Sequence, residues 1–508
     1  MNLPEQTFTH HPTPEAQRST GASRLNLLHA LLHRTAAFLL LIGLVGCAVN
    51  PVTGKRELIL LSEADEIRLG IQTDRQLTQM YGVYADPELG SYIEQLGGQL
   101  ARLSHRPRLD YSFKLTDTPV INAFAVPGGF IYITRGILAY LNSEAELAGV
   151  IGHEIGHIAA RHSARQYTRI QLTQLGLGLG TMISERFARF AGVAELGLGL
   201  LFLKFSRDQE KQADELGVEY AAKAGYDARE MANFFRTLDR MTPDEQKGDL
   251  PSWFSTHPNP RDRVALIRAR AGEWFQRLGL KRPRIRREAY LRRIDGLIFG
   301  ADPRQGFVRK GRFYHPELKF QFPVPAGWTL KNSPTQVRLI EPQERAAVLL
   351  TLTEASDPAS AAASFIRREN ATVILNTPAK VHGFRSHILL SEVAHQQQII
   401  RILSYFIQKG NNIFVFHGFT NAARFEEFQP LFELTMSNFR ALKDPSILAI
   451  QPDRIQIRRV PHTAPLQSIL KRWKVAQSDY QTVALLNGLP LTHTVAQGTL
   501  LKIIQRGQ

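Results

Sequence analysis

Cysteine is almost missing. The 508-residue chain has one, Cys47, so no intrachain disulfide can staple it. Long apolar runs are missing as well. The run from Ala36 to Val45 is too short to cross a bilayer, and the glycine-rich stretch from Ile170 to Phe205 holds no unbroken apolar run of about 18 residues. Acidic residues are outnumbered: 46 Asp and Glu against 62 Lys and Arg leave a formal net charge of +16. Such an excess suits nucleic acid, anionic lipid or an acidic polymer. No nucleic-acid motif accompanies it, so no nucleic-acid partner is expected, and a membrane or cell-wall surface is the more economical reading. What remains is ordinary for folded protein, with 44% hydrophobic and 21% charged residues. The length allows several domains.

The stretch from Val150 to His162 carries the clearest chemistry. It contains His153-Glu154-x-x-His157. On a helix, residues four apart share a face, so both imidazoles can reach one metal ion. Glu154 sits a third of a turn away and can face a water on that metal. Two imidazoles and a carboxylate suit Zn²⁺ with one position left open. A surface helix with two histidines is the plain alternative. The apolar flanks Leu147, Val150, Ile151, Ile155 and Ile158 argue for a buried helix instead.

A second stretch, Ser206 to Gly217, offers Glu210 and Asp214, again four apart. Alone it reads as a solvated charged helix. Beside the first motif, Glu210 becomes the candidate third zinc ligand. Asp214 becomes the acceptor of a ligand histidine's free N–H, a bond that fixes the tautomer.

Together these stretches resemble the HtpX/BepA-like zinc metallopeptidases, gluzincins of the CaaX prenyl protease type. The matching pieces are His153-Glu154-x-x-His157 with Gly152 and Gly156, Glu210-x-x-Ala213-Asp214, Asn122 to Thr134, and Ser255-Thr-His257-Pro258-Asn-Pro-Arg261-Asp-Arg263. The resemblance runs from about Leu61 to Arg270 and is closest to the periplasmic BepA branch. It implies a substrate-binding edge strand at Asn122, Ala123, Phe124 and Ala125, able to pair with an extended peptide. His257, by itself a turn residue, is implied to occupy the open zinc position and hold the enzyme latent. Arg263 is implied to stabilise a developing oxyanion. One departure is plain: no helical repeat of about 34 residues follows Ala301.

The start of the chain reads as a lipoprotein signal. Arg18, Arg24 and Arg34 precede the apolar run, and Leu44-Val45-Gly46-Cys47 is similar to a bacterial lipobox. Residues 1–46 are then removed, Cys47 is lipidated, and residues 47–60 form a tether. Ala48 rather than Asp follows the cysteine, which implies sorting to the outer membrane.

The expected fold is multidomain. A mainly α zincin-type metallopeptidase domain with a small β-sheet covers 61–280. Within it, Ser62 to Met80 and Pro87 to Leu103 read as helices, Tyr111 to Leu115 as a strand, and Ile170 to Phe205 as two glycine-rich helices forming either a mobile lid or a core hairpin. A basic linker covers 281–305. A small α+β domain of unknown role covers 306–445, with strands at Phe320 to Val324, Val337 to Glu341, Ala347 to Thr353, Ile399 to Gln408 and Asn412 to Gly418, and helices at Pro358 to Glu369 and Ala423 to Phe439. Its Phe322-Pro-Val-Pro-Ala-Gly-Trp328 resembles PsbP/Mog-like domains. Residues 454–505 resemble a βααβ LysM module, on Asn487-Gly-Leu and Gly498-x-x-Leu-Lys-Ile503, though Pro461-His-Thr-Ala-Pro-Leu466 departs from the usual opening.

The expected activity is a zinc metalloendopeptidase, one Zn²⁺ per subunit, lipid-anchored in the periplasm and acting on misfolded or stalled envelope proteins. Glu154 serves as general base and acid. Expected partners are envelope protein substrates, the membrane through the lipid anchor, peptidoglycan and the outer-membrane assembly machinery. Two rivals stand beside it: a peptidoglycan peptide hydrolase and a non-catalytic envelope adaptor or chaperone.

Overall fold

The computed structural model describes residues 47–174, 204–241, 253–257, 262–395 and 398–507. The signal-peptide expectation for 1–46 and nearly all of the lid expectation lie outside the described residues.

Local signals start the first helices. Glu63–Tyr81 begins with a reciprocal capping box between Ser62 and Asp65, followed by acids that suit a helix N-terminus. Pro87–Ala101 is capped by Asp86 and has proline in its first turn. A three-stranded sheet follows. Ser112–Thr116 lies parallel to Phe130–Thr134, which pairs antiparallel with Ala123–Val126 on its other side. Ala123–Val126 is therefore an edge strand. The turn before Phe130 requires glycine: Gly128 has φ 83°, and a Cβ there would lie 2.7 Å from the Glu66 carbonyl oxygen.

The helix Glu144–Ala159 is the centre of this part of the molecule. Ser143 caps it by accepting from the Glu146 N–H, and all of its residues are buried. It packs against Arg207–Lys223 along a seam of small residues. A Cβ on Gly152 would lie 3.0 Å from the Gly217 carbonyl oxygen, and one on Gly156 3.1 Å from that of Ala213. The seam lets the two backbones approach closely enough for their side chains to share one site.

The stretch expected as a basic linker contributes to the same core. Its helix Arg287–Arg293 buries Tyr290 and Leu291, and the Tyr290 hydroxyl donates to the Leu138 carbonyl at 2.6 Å. The C-terminal residues join too. Arg454–Arg459 pairs antiparallel with Leu500–Gln505, and the helices Leu466–Arg472 and Tyr480–Leu486 lie between them in sequence. Ile455, Leu466, Leu486 and Leu501 belong to one continuous core with Leu138, Ile151 and Tyr290. Lys502 is fully buried, and its Nζ donates to the carbonyls of Ala139 at 2.7 Å and Leu141 at 2.6 Å.

Residues 307–441 form a separate core. A seven-stranded antiparallel sheet runs in the order Thr372–Val381, Phe384–His395, Gln398–Lys409, Asn412–Asn421, Ala346–Thr353, Gln336–Ile340, Thr329–Ser333. A four-stranded sheet adds Arg440–Ala441, Phe320–Pro323, Arg312–His315 and Phe307–Arg309. Alternation along the strands puts a helix on each face of the large sheet. Phe406, Ile413 and Val415 pack with Phe365 of Pro358–Glu369, whereas Ile407, Phe414 and Phe416 pack with Phe432 of Phe425–Met436. The sequence reading gave five strands here. The other strands of the two sheets lie outside that reading, among them Thr372–Val381, an exposed edge strand with a register shift between Val373 and Leu375, and its neighbour Phe384–His395.

Candidate metal centre

Four donors converge where the two packed helices meet the short helix Trp253–Thr256. Donor atoms of His153, His157, Glu210 and His257, all buried, lie within 4.8 Å of one another. The Nε2 atoms of His153 and His157 are 3.0 Å apart. Glu210 Oε1 is 3.0 Å from His257 Nδ1 and 3.5 Å from His157 Nε2, and its Oε2 is 3.7 Å from His153 Nε2. Trp253 stacks on His257 at 4.5 Å between ring centres, and Phe205 lies 4.0 Å from the His157 ring.

Both helical histidines have their other nitrogen engaged. His153 Nδ1 lies 2.9 Å from Asp214 Oδ1. A carboxylate accepts only, so His153 donates there and its Nε2 keeps a lone pair. His157 Nδ1 lies 3.0 Å from Nδ1 of His162, a residue the sequence reading did not single out. Arg263 grips Asp214 with Nε at 2.8 Å and Nη2 at 2.6 Å. Its Nη1 is 3.3 Å from Glu210 Oε2, and its guanidinium lies over the Phe235 ring.

Burial sets the electrostatics. It pushes the Glu154 carboxyl up, against the pull of His257 and His153. It pushes His157 well below the ordinary imidazole value, helped by the neighbouring histidines. In Glu210 the same burial is outweighed by His257, His153 and Arg263, so its carboxyl is held low. In Asp214 burial is outweighed by Arg263 and His153.

The donor set fits a metal ion on its own terms. Among the described residues, Glu154 Oε1 and Glu210 Oε2 are buried side-chain oxygens with no hydrogen-bond partner. The Nε2 atoms of His153 and His157 face each other beside them, and the His153 one carries a lone pair. A metal ion would bring these groups a shared partner, and imidazole with carboxylate in a buried pocket suits Zn²⁺. Glu154 is 1% exposed and sits 3.7 Å from His257 Nε2, at the rim of the cluster.

The sequence profile of Peptidase family M48 matches residues 87–271. The chain carries a peptidase family M48 domain. The four converging donors all fall inside that match. The beta-barrel assembly-enhancing protease of Escherichia coli strain K12 is 31% identical over 222 residues, covering 42% of this chain and 45% of that protein. A mitochondrial metalloendopeptidase of Arabidopsis thaliana is 33% identical over 167 residues, covering 33% of each chain. The chain thus spans less than half the length of each of these two relatives. Among solved structures, cyanobacterial PsbP of Synechocystis is similar, with 14% identity, a TM-score of 0.23, and coverage of 26% of this chain and 91% of that one.

The edge strand Ala123–Val126 lies within the M48 domain, with Asn122, Ala123 and Phe124 buried and Ala125 partly exposed. No strand pairs with its outer edge among the described residues. Cys47 begins the short strand Cys47–Val49, paired with Arg56–Leu58.

Proposed function

We propose that this chain is a zinc-dependent metalloendopeptidase of the bacterial cell envelope, acting on misfolded or stalled envelope proteins. The single observation that carries this is the buried convergence of His153, His157, Glu210 and His257, with the Glu154 carboxylate at its rim and one of its oxygens without a hydrogen bond. His153, His157 and Glu210 hold the ion. Bound there, zinc supplies Lewis acidity, polarising a carbonyl and making a water acidic near neutral pH.

The chain's own groups do the rest. Glu154 takes a proton from the attacking water and passes it to the leaving amine. Burial favours its protonated form, which suits that second transfer. The outer edge of Asn122 to Ala125 aligns an extended peptide by backbone pairing. Arg263 is committed to Asp214, and its Nη1 lies 3.3 Å from Glu210 Oε2, which supports an orienting role. His257 stands among the ligands, so water and substrate enter only when it withdraws, which is a latent arrangement.

Localisation follows from the sequence. A lipid on Cys47 tethers the enzyme to the inner face of the outer membrane, and the LysM-like residues 454–505 add affinity for peptidoglycan. The bacterial relatives are named for enhancing beta-barrel assembly, which supports substrates and partners in that process, the outer-membrane assembly machinery in this reading. The test is casein cleavage by the full chain. Cleavage that a chelator abolishes and zinc restores, and that rises in His257→Ala, fits the latent protease. No cleavage and no zinc uptake in any form would favour the adaptor reading. The LysM-like module motivates a second reading, a peptidoglycan peptide hydrolase, and release of muropeptides from purified sacculi would favour it.

A further inference from the structure

We propose that His162 is a positioning residue of the metal centre: it accepts the Nδ1–H of His157 and so fixes which nitrogen His157 presents to the ion. The inference rests on the zinc-site reading above.

His162 is fully buried at the start of the helix His162–Gln174. Its Nε2 lies 2.9 Å from Gln212 Oε1, and its Nδ1 lies 3.0 Å from His157 Nδ1. The amide oxygen can only accept, so the proton of His162 sits on Nε2. Its Nδ1 then carries a lone pair, and the facing His157 Nδ1 must carry the hydrogen. That leaves His157 Nε2 bare, turned toward His153 Nε2 and Glu210. The opposite amide orientation would put a hydrogen on His157 Nε2, where a ligand needs a lone pair, so the relay runs in one direction only.

The backbone is built to place this residue. His157 and His162 are five apart, a spacing that a continuous helix sends to different faces. Arg161 breaks the helix with φ 56°, in the left-handed region. It is held there by its Nε on Glu66 Oε1 at 2.6 Å and its Nη2 on the Leu61 carbonyl at 2.7 Å. The turn swings His162 back, and the two rings meet edge-on at 4.9 Å and 76°. The two ligand histidines therefore have different acceptors. His153 leans on the charged Asp214, and His157 on a neutral imidazole backed by Gln212. Holding both orientations with only one extra negative charge limits the charge buried beside Glu210.

The test is zinc affinity, measured on the full chain by competition with a chelator of known affinity, for wild type, His162→Phe, His162→Gln and Gln212→Leu. Loss of such a supporting bond typically weakens metal binding about 10–100-fold. His162→Phe keeps the bulk and loses the acceptor, so its affinity should fall by that factor. His162→Gln restores an amide oxygen, and its affinity should stay within a few-fold of wild type. Gln212→Leu frees the His162 tautomer and should weaken binding by less than His162→Phe. If His162→Phe binds zinc as wild type does, or His162→Gln is as weak as His162→Phe, the assignment is overturned. A wild type that takes up no zinc removes the metal centre, and this assignment with it. A wild type that binds zinc alongside an unaffected His162→Phe overturns the positioning role alone.

Discussion

Asp214 balances the charge around the site. One carboxylate accepts from His153 and from two nitrogens of Arg263, all with side chains no more than 2% exposed. In Asp214→Asn the amide oxygen can still accept from His153. The Arg263 guanidinium, however, loses its closest counterion while staying buried. Breaking a buried pair on one side costs about 3–5 kcal/mol. Denaturant unfolding should show a loss of that order, and an unchanged midpoint would mean that Arg263 moves freely to solvent. At this scale part of the site is legible in sequence. The four-residue spacings put His153 with His157, and Glu210 with Asp214, on shared faces. His257 and Arg263 have no such spacing and were reached through the family resemblance alone. His162 was invisible, because its approach to His157 depends on the left-handed backbone of Arg161.

The pair of helices Glu144–Ala159 and Arg207–Lys223 works only because their seam is small. At Gly217 an added Cβ would meet the His153 backbone nitrogen at 2.9 Å and Cα at 3.1 Å. Backbone cannot rotate away as a side chain can, so Gly217→Ala must separate the helices. Overpacking of this kind costs about 1–3 kcal/mol. We expect a lower melting temperature together with weaker zinc retention, since the same shift moves Glu210 away from His153. A variant that melts lower yet keeps zinc unchanged would show that seam and site are independent. Helices were the easier elements to anticipate. Ser62, Asp86 and Ser143 signal their starts, and amphipathic or wholly apolar patterns fill them. Strands without alternation were harder: Thr372–Val381 is almost wholly exposed, so nothing in its pattern marks a buried face.

Across the whole molecule the C-terminal residues are part of the M48 domain's support. Lys502 holds the Ala139 and Leu141 carbonyls, just before the cap of the central helix, and Arg287 bonds the Asn142 carbonyl at 3.1 Å and the Leu500 carbonyl at 3.4 Å. Lys502→Met leaves two buried carbonyls unpaired, at about 1–3 kcal/mol each. Its unfolding should occur at distinctly lower denaturant, whereas an appended, independently folded module would leave the M48 transition in place. No sequence pattern announces this join, because its shared apolar core and the buried Lys502 bring together residues far apart along the chain. The core of residues 307–441 should respond to acid. Burial pushes His315 and His417 down to about 4. Between about pH 4 and the ordinary value near 6.5, the unfolded chain holds protons on these rings that the folded chain does not. Unfolding therefore takes up protons, and stability falls as pH drops through that window. Thermal melts from pH 7 to 4 should show it, with a flatter dependence in His417→Phe.

The measurement to make first compares zinc content and casein cleavage in wild type, Glu154→Gln and Glu210→Ala. Glu154→Gln should keep its zinc and lose cleavage by at least about 10²-fold, because it removes the proton carrier and no ligand. Glu210→Ala should lose both. A Glu154→Gln protein that cleaves casein like wild type would contradict the assignment of Glu154, and with it the catalytic reading of the whole centre.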